Sequence, residues 1–424
     1  MITFLILTVF ILGYIAIAFE HPLKLNKAAS ALITGVLCWT IYILQSDATE
    51  TVSEELLHHL GEISSILFFL LGAMTIVELI DTHNGFDIIT QRIKTTSKKK
   101  LLLIITVLTF FLSALLDNLT TAIVMTSLCA KILSNKEDRL WFAGMIVIAA
   151  NAGGAWSPLG DVTTTMLWIG GQITALNIMK LLILPSMAVC VLPALIVAYR
   201  FKGKKFRAIP ESDGTLKEKN DGKIILFSGV GFLIFVPVFK TLTHLPPFMG
   251  MLLALGFMWI ITTIIHKEKK RGTAQKFTVA HALQKVDTPS ILFFLGILLA
   301  VSALQSIGLL RELATVLSST LKNDYLIGIS LGLLSAIVDN VPLVAAAQGM
   351  YDLSTYPPDH PFWEFLALTT GTGGSAIIIG SAAGVAVMGI ELIDFMWYLK
   401  KISWLALIGF AAGVLVFLLQ AQLF

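Results

Sequence analysis

Ser113-Ala-Leu-Leu-Asp-Asn118 and Ser335-Ala-Ile-Val-Asp-Asn340 are the two stretches on which the fold turns. Each sets an Asp-Asn pair in the middle of an apolar run, the first spanning residues 101–133 and the second 324–350. The first run has about 33 residues, roughly 50 Å as one helix, against a hydrocarbon layer of about 30 Å. A helix–turn–helix hairpin that enters and leaves on one face accounts for both the excess length and the central aspartate. Its limbs of about 15 residues, roughly 22 Å each, pass mid-membrane without crossing.

The rest of the chain favours a membrane setting. Of the 424 residues 56% are hydrophobic and 13% charged, and mean hydropathy is +0.85; a soluble domain carries about twice that charge. The net charge of +3 sits in loops. Cys38, Cys129 and Cys190 lie singly in apolar runs and read as buried thiols. Ten further apolar runs reach crossing length, at 2–19, 28–45, 63–80, 140–170, 175–199, 223–240, 247–266, 288–305, 362–388 and 398–422. The first lacks a basic start and is followed by Lys24 and Lys27, so it reads as a retained span rather than a secretion signal. With both hairpins re-entrant, Lys24, Lys27, Arg92, Lys94, 98–100, Lys136, Arg139, the loops 200–223 and 267–285, and Lys400–401 collect on one face. The acidic stretch 47–62, the neutral 170–177 and the loop with Asp352 and Asp359 collect on the other. By the positive-inside rule the basic face is cytoplasmic and both termini lie outside.

Internal similarity sets the architecture. Ser65-Ile-Leu-Phe-Phe-Leu70 recurs as Ser290-Ile-Leu-Phe-Phe-Leu295 at an offset of 225, the Asp-Asn stretches repeat at 222, and Gly153-Gly154 matches Gly373-Gly374 at 220. Five crossings separate equivalent points, so the expectation is an all-α polytopic protein with an inverted repeat of five spans each. Residues 1–199 form the first repeat, 200–222 a basic cytoplasmic linker and 223–424 the second repeat. Each repeat holds one re-entrant hairpin and one broken helix. Inverted repeats of this kind belong to carriers whose substrate binds near the midplane.

The broken helices are expected at 140–170 and 362–388. Asn151-Ala-Gly-Gly-Ala-Trp-Ser-Pro-Leu-Gly-Asp161 cannot continue a regular helix, and neither can Thr370-Gly-Thr-Gly-Gly-Ser375 running on to Gly380-Ser381. Unwound backbone at that depth needs protein or water around it and offers oxygens to a cation. The plainer alternative is a kink for close packing. Three acids share the region: Asp117 and Asp339 at the hairpin tips and Asp161 beside the first break. Acids within a membrane usually serve function. Burial favours a protonated carboxyl and a bound cation favours the ionised one, so protons and sodium compete for one group. The plainer alternative is that each aspartate caps a turn or helix. Neutral oxygens from Asn118, Asn340, Ser157, 163–165, Ser335, Ser375 and Ser381 stand nearby and suit a hard cation such as Na⁺. Asp161 aligns with Ser381, which predicts a lopsided site.

Glu78, with Asp81 and His83, could serve an ion path or pH sensing, and Glu62 carries the same ambiguity at the other face; interfacial carboxylates reaching water are the plainer reading. The remaining histidines (His58, His59, His244, His266, His281 and His360) read as solvated. The basic loops suit orientation and lipid contact, not nucleic acid. No phosphate-binding loop supports ATP use, and no nucleophile–base or metal-ligand cluster supports an enzyme or a bound cofactor.

Several motifs resemble the NhaD-type sodium/proton antiporters: Leu108-Thr-Phe-Phe-Leu-Ser-Ala-Leu-Leu-Asp-Asn-Leu-Thr-Thr-Ala122, Gly72-Ala-Met-Thr-Ile-Val-Glu-Leu-Ile-Asp81, Trp156-Ser-Pro-Leu-Gly-Asp-Val-Thr-Thr165, Ile337-Val-Asp-Asn-Val-Pro342 and Gly380-Ser-Ala-Ala-Gly-Val-Ala386. That family belongs to the wider ion transporter superfamily. The resemblance implies a homodimer in the inner (plasma) membrane, an elevator-like alternation, and export of Na⁺ and Li⁺ for protons. By motif match it implies cation-site roles for Asp117, Asn118, Asn151, Asp161, Thr163, Thr164, Ser335, Asp339, Asn340 and Ser375. The rivals are a sodium-coupled carboxylate symporter or an arsenite efflux carrier of the same superfamily, and an ion channel. Related anion carriers place Ser-Asn-Thr at the hairpin tips, where this chain has Asp-Asn.

Overall fold

Hydrocarbon leaves a backbone no partner but itself, so apolar runs fold as helices; which of them stay continuous is decided by Gly, Pro and Asp-Asn. The computed structural model describes residues 2–18, 20, 24–86, 88, 95–206, 216–267 and 277–423. The orientation-setting Arg92 and Lys94, and residues 207–215 and 268–276 of the two basic loops, lie outside the described residues.

The first half runs α1 (Ile2–Ala18), α2 (Lys27–Leu44), α3 (Thr49–Thr82), α4 (Lys98–Leu116), α5 (Asn118–Ile132), α6 (Lys136–Ala155), α7 (Val162–Ile169) and α8 (Ala175–Arg200). The second runs α9 (Leu216–Thr243), α10 (Pro247–His266), α11 (Val279–Lys285), α12 (Thr288–Ser306), α13 (Leu309–Leu321), α14 (Asp324–Leu334), α15 (Asn340–Met350), α16 (Pro361–Gly373), α17 (Ala382–Glu391), α18 (Phe395–Lys401) and α19 (Ser403–Leu423). Starts are capped as the residue types allow: Asn26, Ser97, Asn135, Thr278, Asp287 and Asn323 each accept a backbone N–H of the following turn.

Among the described residues eight unbroken helices are long and apolar enough to cross a membrane, or nine if the bent pair α17–α18 counts as one. Ten crossings were expected from the sequence, and the difference has three sources. α1 has only 17 residues, the runs 140–170 and 362–388 are interrupted, and α4, expected as a short limb, has 19 residues and is long enough to cross by itself. The acidic stretch 47–62 is not a loop either: from Thr49 it forms the start of α3, a helix of 34 residues, about 51 Å long. Residues 47–62, rich in Glu, Leu and His, contain one glycine and no proline, so nothing stops the helix there. The amphipathic α13 corresponds to none of the expected spans or hairpins.

The helices sort into two packed bodies. α1, α2, α3, α9, α10, α11 and α12 contact one another; α4 to α8, α14 and α16 to α19 form the second group, with α13 and α15 bridging. In the first body α2 and α12 approach backbone to backbone: a Cβ on Gly35 would stand 2.5 Å from the Gly296 oxygen, the close approach small residues give membrane helices. In the second body one contact occurs twice. A Cβ on Gly153 would lie 2.2 Å from the Phe110 oxygen, and one on Gly373 would lie 1.9 Å from the Gly332 oxygen. Ser113 Oγ donates to the Ala150 oxygen (2.6 Å) as Ser335 Oγ donates to the Thr370 oxygen (2.9 Å). The outer surface is apolar, with Leu176 82%, Phe4 75% and Phe227 69% exposed, as a lipid-facing surface requires.

Candidate functional site

Four helix ends meet in the second body and at its border. α6 ends at Ala155 and α7 restarts at Val162; α16 ends at Gly373 and α17 restarts at Ala382. Between them the backbone is unwound. Asp161 stands at the start of α7, where its Oδ1 accepts the Thr163 amide at 3.1 Å. Ser381 holds the equivalent place on α17 and accepts the Gly384 amide at 3.2 Å.

Six of the residues singled out in the sequence form one hydrogen-bonded cluster. Asn118 Nδ2, from the first turn of α5, donates to Asp161 Oδ2 (3.0 Å) and to Asn151 Oδ1 (3.1 Å). Asn340 Nδ2, from the first turn of α15, donates to the same Asp161 oxygen at 3.2 Å. Asn151 Nδ2 then donates to Ser375 Oγ and Ser381 Oγ, both at 2.9 Å. All six side chains are buried, Asn151 completely. Three come from each half of the chain, so the cluster joins the halves. The carboxylate has amide donors on it and, among the described residues, no Lys or Arg hydrogen-bonded to it. A buried carboxylate left without a counter-ion is costly.

The other candidates stand around this cluster in distinct ways. Thr164 Oγ1 donates to the Asp161 carbonyl (2.9 Å), and Thr163 Oγ1 is buried with no partner among the described residues. Ser157 Oγ donates to the Ala114 carbonyl (2.6 Å), and Ser335 fastens α14 to α16. These two hold backbone rather than face the carboxylate. Asp117 and Asp339 are half-buried helix caps: both Asp117 oxygens are taken by Thr120, at 2.8 Å each, and Asp339 Oδ1 accepts the Val341 amide at 3.2 Å. Neither aspartate bonds to the cluster, although each is the neighbour in sequence of an asparagine that does.

The outlying acids and histidines divide. Glu78 pairs with Lys285 at 2.9 Å, and Glu62 is exposed beside His58 and His59, 3.5 Å from each. Asp81 is exposed. His83 is buried, its Nε2 2.8 Å from His266 Nε2, and the two rings stack. His266 is therefore a packed residue and not a solvated one, because α3 and α10 end side by side.

Glu364, Glu391 and Lys240 carry no expectation from the sequence, and Arg139, expected only as an orientation charge, has a packed partner as well. Glu364, inside a run already read as a span, is wholly buried with Oε1 accepting Asn177 Nδ2 at 2.6 Å. Its signal was the one that found Asp117, an acid in apolar sequence. Arg139 pairs with buried Glu391 at 3.0 Å. Lys240 of α9 donates to the Trp168 carbonyl at the end of α7 (2.7 Å) and lies over the Trp168 ring, 4.7 Å from its centroid. Its contact links the two bodies, and nothing in the local sequence announces it.

Fold and site together define a multi-pass membrane carrier. The chain matches the family model described as a citrate transporter over residues 14–371. It is 49% identical to sodium/proton antiporter 1 of Arabidopsis thaliana over 96% of its own length and 70% of that protein's. Identity is 45% with sodium/proton antiporter 2 of the same plant, covering 96% and 97%, and 30% with the Na⁺/H⁺ antiporter NhaD of Vibrio cholerae, covering 97% and 91%. The chain belongs to this NhaD-type sodium/proton antiporter family and carries the citrate-transporter family domain, and its relatives are transporters rather than enzymes. In fold it is similar to the YdaH transporter of Alcanivorax borkumensis, with a TM-score of 0.57 and 12% identity over 88% of this chain and 89% of that one.

Proposed function

We propose that this chain is a secondary active antiporter that exports Na⁺, and Li⁺, in exchange for protons. The observation that carries the reading is Asp161: a buried carboxylate that no described cationic side chain hydrogen-bonds, ringed by amides and hydroxyls from both halves. Such a group is stable in two ways, by taking a proton or by taking a cation, and the two exclude each other. The amides fit both states. As donors, Asn118 and Asn340 support the ionised carboxylate; rotated about their terminal bond they turn oxygens to a hard cation instead. Thr163 Oγ1 supplies a further oxygen without a present partner among the described residues. The plant and bacterial relatives, named sodium/proton antiporters, agree with this reading.

Transport then follows from the two bodies. The cluster belongs to the helix-break body and to α15, and alternation carries it between faces against α1 to α3 and α9 to α12 in an elevator-like way. The halves are inverted in the membrane, the segments around Asp117 and Asp339 are re-entrant, both termini lie outside, and the protein works as a homodimer in the inner (plasma) membrane. The remaining reading is citrate or another carboxylate as substrate, which the description of the family model favours. Against it stands the cluster's only charge, a carboxylate that would repel an anion.

The experiment is proton movement in everted vesicles holding an acid-inside pH gradient. Sodium should collapse the gradient, and potassium or citrate should not. Asp161→Asn should abolish the sodium response while the protein still inserts. A citrate response, or a sodium response that survives in Asp161→Asn, overturns the reading.

A further inference from the structure

Two cavities lie end to end along α15, on its side facing α12 and α13. One, of about 360 Å³, is walled by apolar side chains from four helices: Tyr14 of α1, Leu304 of α12, Leu313 of α13, and Val338, Pro342 and Ala346 on or beside α15. The other, of about 670 Å³, is polar and holds Gln305, Arg311, Ser318, Gln348 and Asp352. They adjoin where Leu310, on the apolar wall, packs against Gly349, on the polar one. Along α12 and α15 alike the lining changes from hydrocarbon to polar at the same level, between Leu304 and Gln305 and between Ala346 and Gln348.

The polar end carries two separated charges. Arg311 is exposed and its guanidinium has no hydrogen bond or ion pair among the described residues. Asp352 lies in the loop beyond α15, where the Ser354 hydroxyl and the Thr355 amide and hydroxyl hold its carboxyl down at about 2. All of its hydrogen bonds fall on Oδ1, so no described residue occupies Oδ2.

We propose that this track binds a zwitterionic phospholipid of the phosphatidylethanolamine class, with its phosphate on Arg311, its ammonium on Asp352 Oδ2 and an acyl chain in the apolar cavity. A guanidinium matches phosphate, and an ammonium can donate hydrogen bonds to a carboxylate where choline cannot. An anionic headgroup would meet Asp352 unfavourably. The tail ends against Val338 and Tyr14, beside the Asp339 that caps α15, so the lipid wedges between the first body and α15.

The test uses the purified, delipidated full chain in detergent and follows thermal unfolding as dioleoyl lipids are added. Phosphatidylethanolamine should raise the midpoint at a concentration about tenfold lower than phosphatidylcholine or phosphatidylglycerol, the loss of one charge-assisted contact being worth about that factor. Asp352→Asn should erase that preference, and Arg311→Gln, which removes the contact to the phosphate that all three lipids share, should shift all three to higher concentration; both positions lie at the surface and leave the fold intact. Ala346→Trp, which fills the groove, should remove stabilisation by all three lipids, and glycerophosphoethanolamine, the headgroup without tails, should have no effect. Equal midpoints for ethanolamine and choline lipids in the wild type, a preference for phosphatidylglycerol, or a preference retained in Asp352→Asn would overturn the proposal.

Discussion

At the scale of single residues, Asp117 combines two properties that a substitution can separate. Its backbone sits at φ 75° and ψ 158°, a region in which only glycine is at ease and where other residues store about 1–3 kcal/mol. Its carboxylate caps α5 through Thr120, a cap worth about 1 kcal/mol. Asp117→Asn preserves the cap and removes the charge, so the unfolding midpoint should stay put. Asp117→Gly relieves the strain and loses the cap, and the two effects offset each other to about 1 kcal/mol. If the charge of Asp117 takes part in proton transfer, both variants lose sodium-dependent proton movement while remaining folded. Full activity in both would leave Asp117 as a cap alone, the plainer of the two readings its Asp-Asn context permits. Asn118 gives the complementary case. Asn118→Ala deletes donors to both Asp161 and Asn151, leaving a buried carboxylate short of a partner, and should cost about 1–3 kcal/mol in a denaturation series together with a higher sodium requirement.

At the scale of elements, the breaks depend on glycines that allow backbone to touch backbone. Gly153→Ala and Gly373→Ala should each destabilise by about 1–3 kcal/mol, since the new methyl meets a carbonyl of a neighbouring helix or turn that cannot move aside. Gly389→Ala, in α17 with nothing within 4 Å of the added carbon, should be neutral or stabilise by up to about 1 kcal/mol. Equal effects at all three positions, read by thermal unfolding, would mean that the close approaches carry no energetic weight. These interruptions were legible because Gly, Pro and Asp-Asn break a helix locally, whatever surrounds them. The members of the cluster were legible for a related reason, as polar groups stranded in apolar sequence. What escaped was decided at a distance. The extension of α3 back to Thr49 looks like a polar loop until nothing is found to end the helix. The burial of His266 depends on His83, a residue far away in the chain, and Lys240 acquires its role only when α9 reaches the end of α7.

At the scale of the whole molecule, the question is whether the two bodies move as units. Few contacts join them directly outside α13 and α15; one is the edge-on packing of Phe69 in α3 against Trp168 in α7, with centroids 6.2 Å apart, next to the Lys240 bond to the Trp168 carbonyl. If Asp161 at one end of α7 travels between faces, Trp168 near the other end must travel with it, because α7 is a single rigid helix of eight residues. Phe69 remains with the first body. A short thiol-reactive tether between cysteines at 69 and 168 should therefore arrest sodium/proton exchange, and a reducible tether should restore it on cleavage. The control is a tether between 232 and 257, where Phe232 and Phe257 stack at 5.6 Å within the first body; it should leave exchange unchanged. Cys38, Cys129 and Cys190, buried like positions 69 and 168, are replaced by serine beforehand so that only the introduced pair reacts. Exchange that persists under complete 69–168 tethering would mean that the cluster is reached by local opening around α5 and α15 and not by displacement of a body. The amide-ringed carboxylate would then bind its ions in place, with Asp117 and Asp339 as the mobile groups.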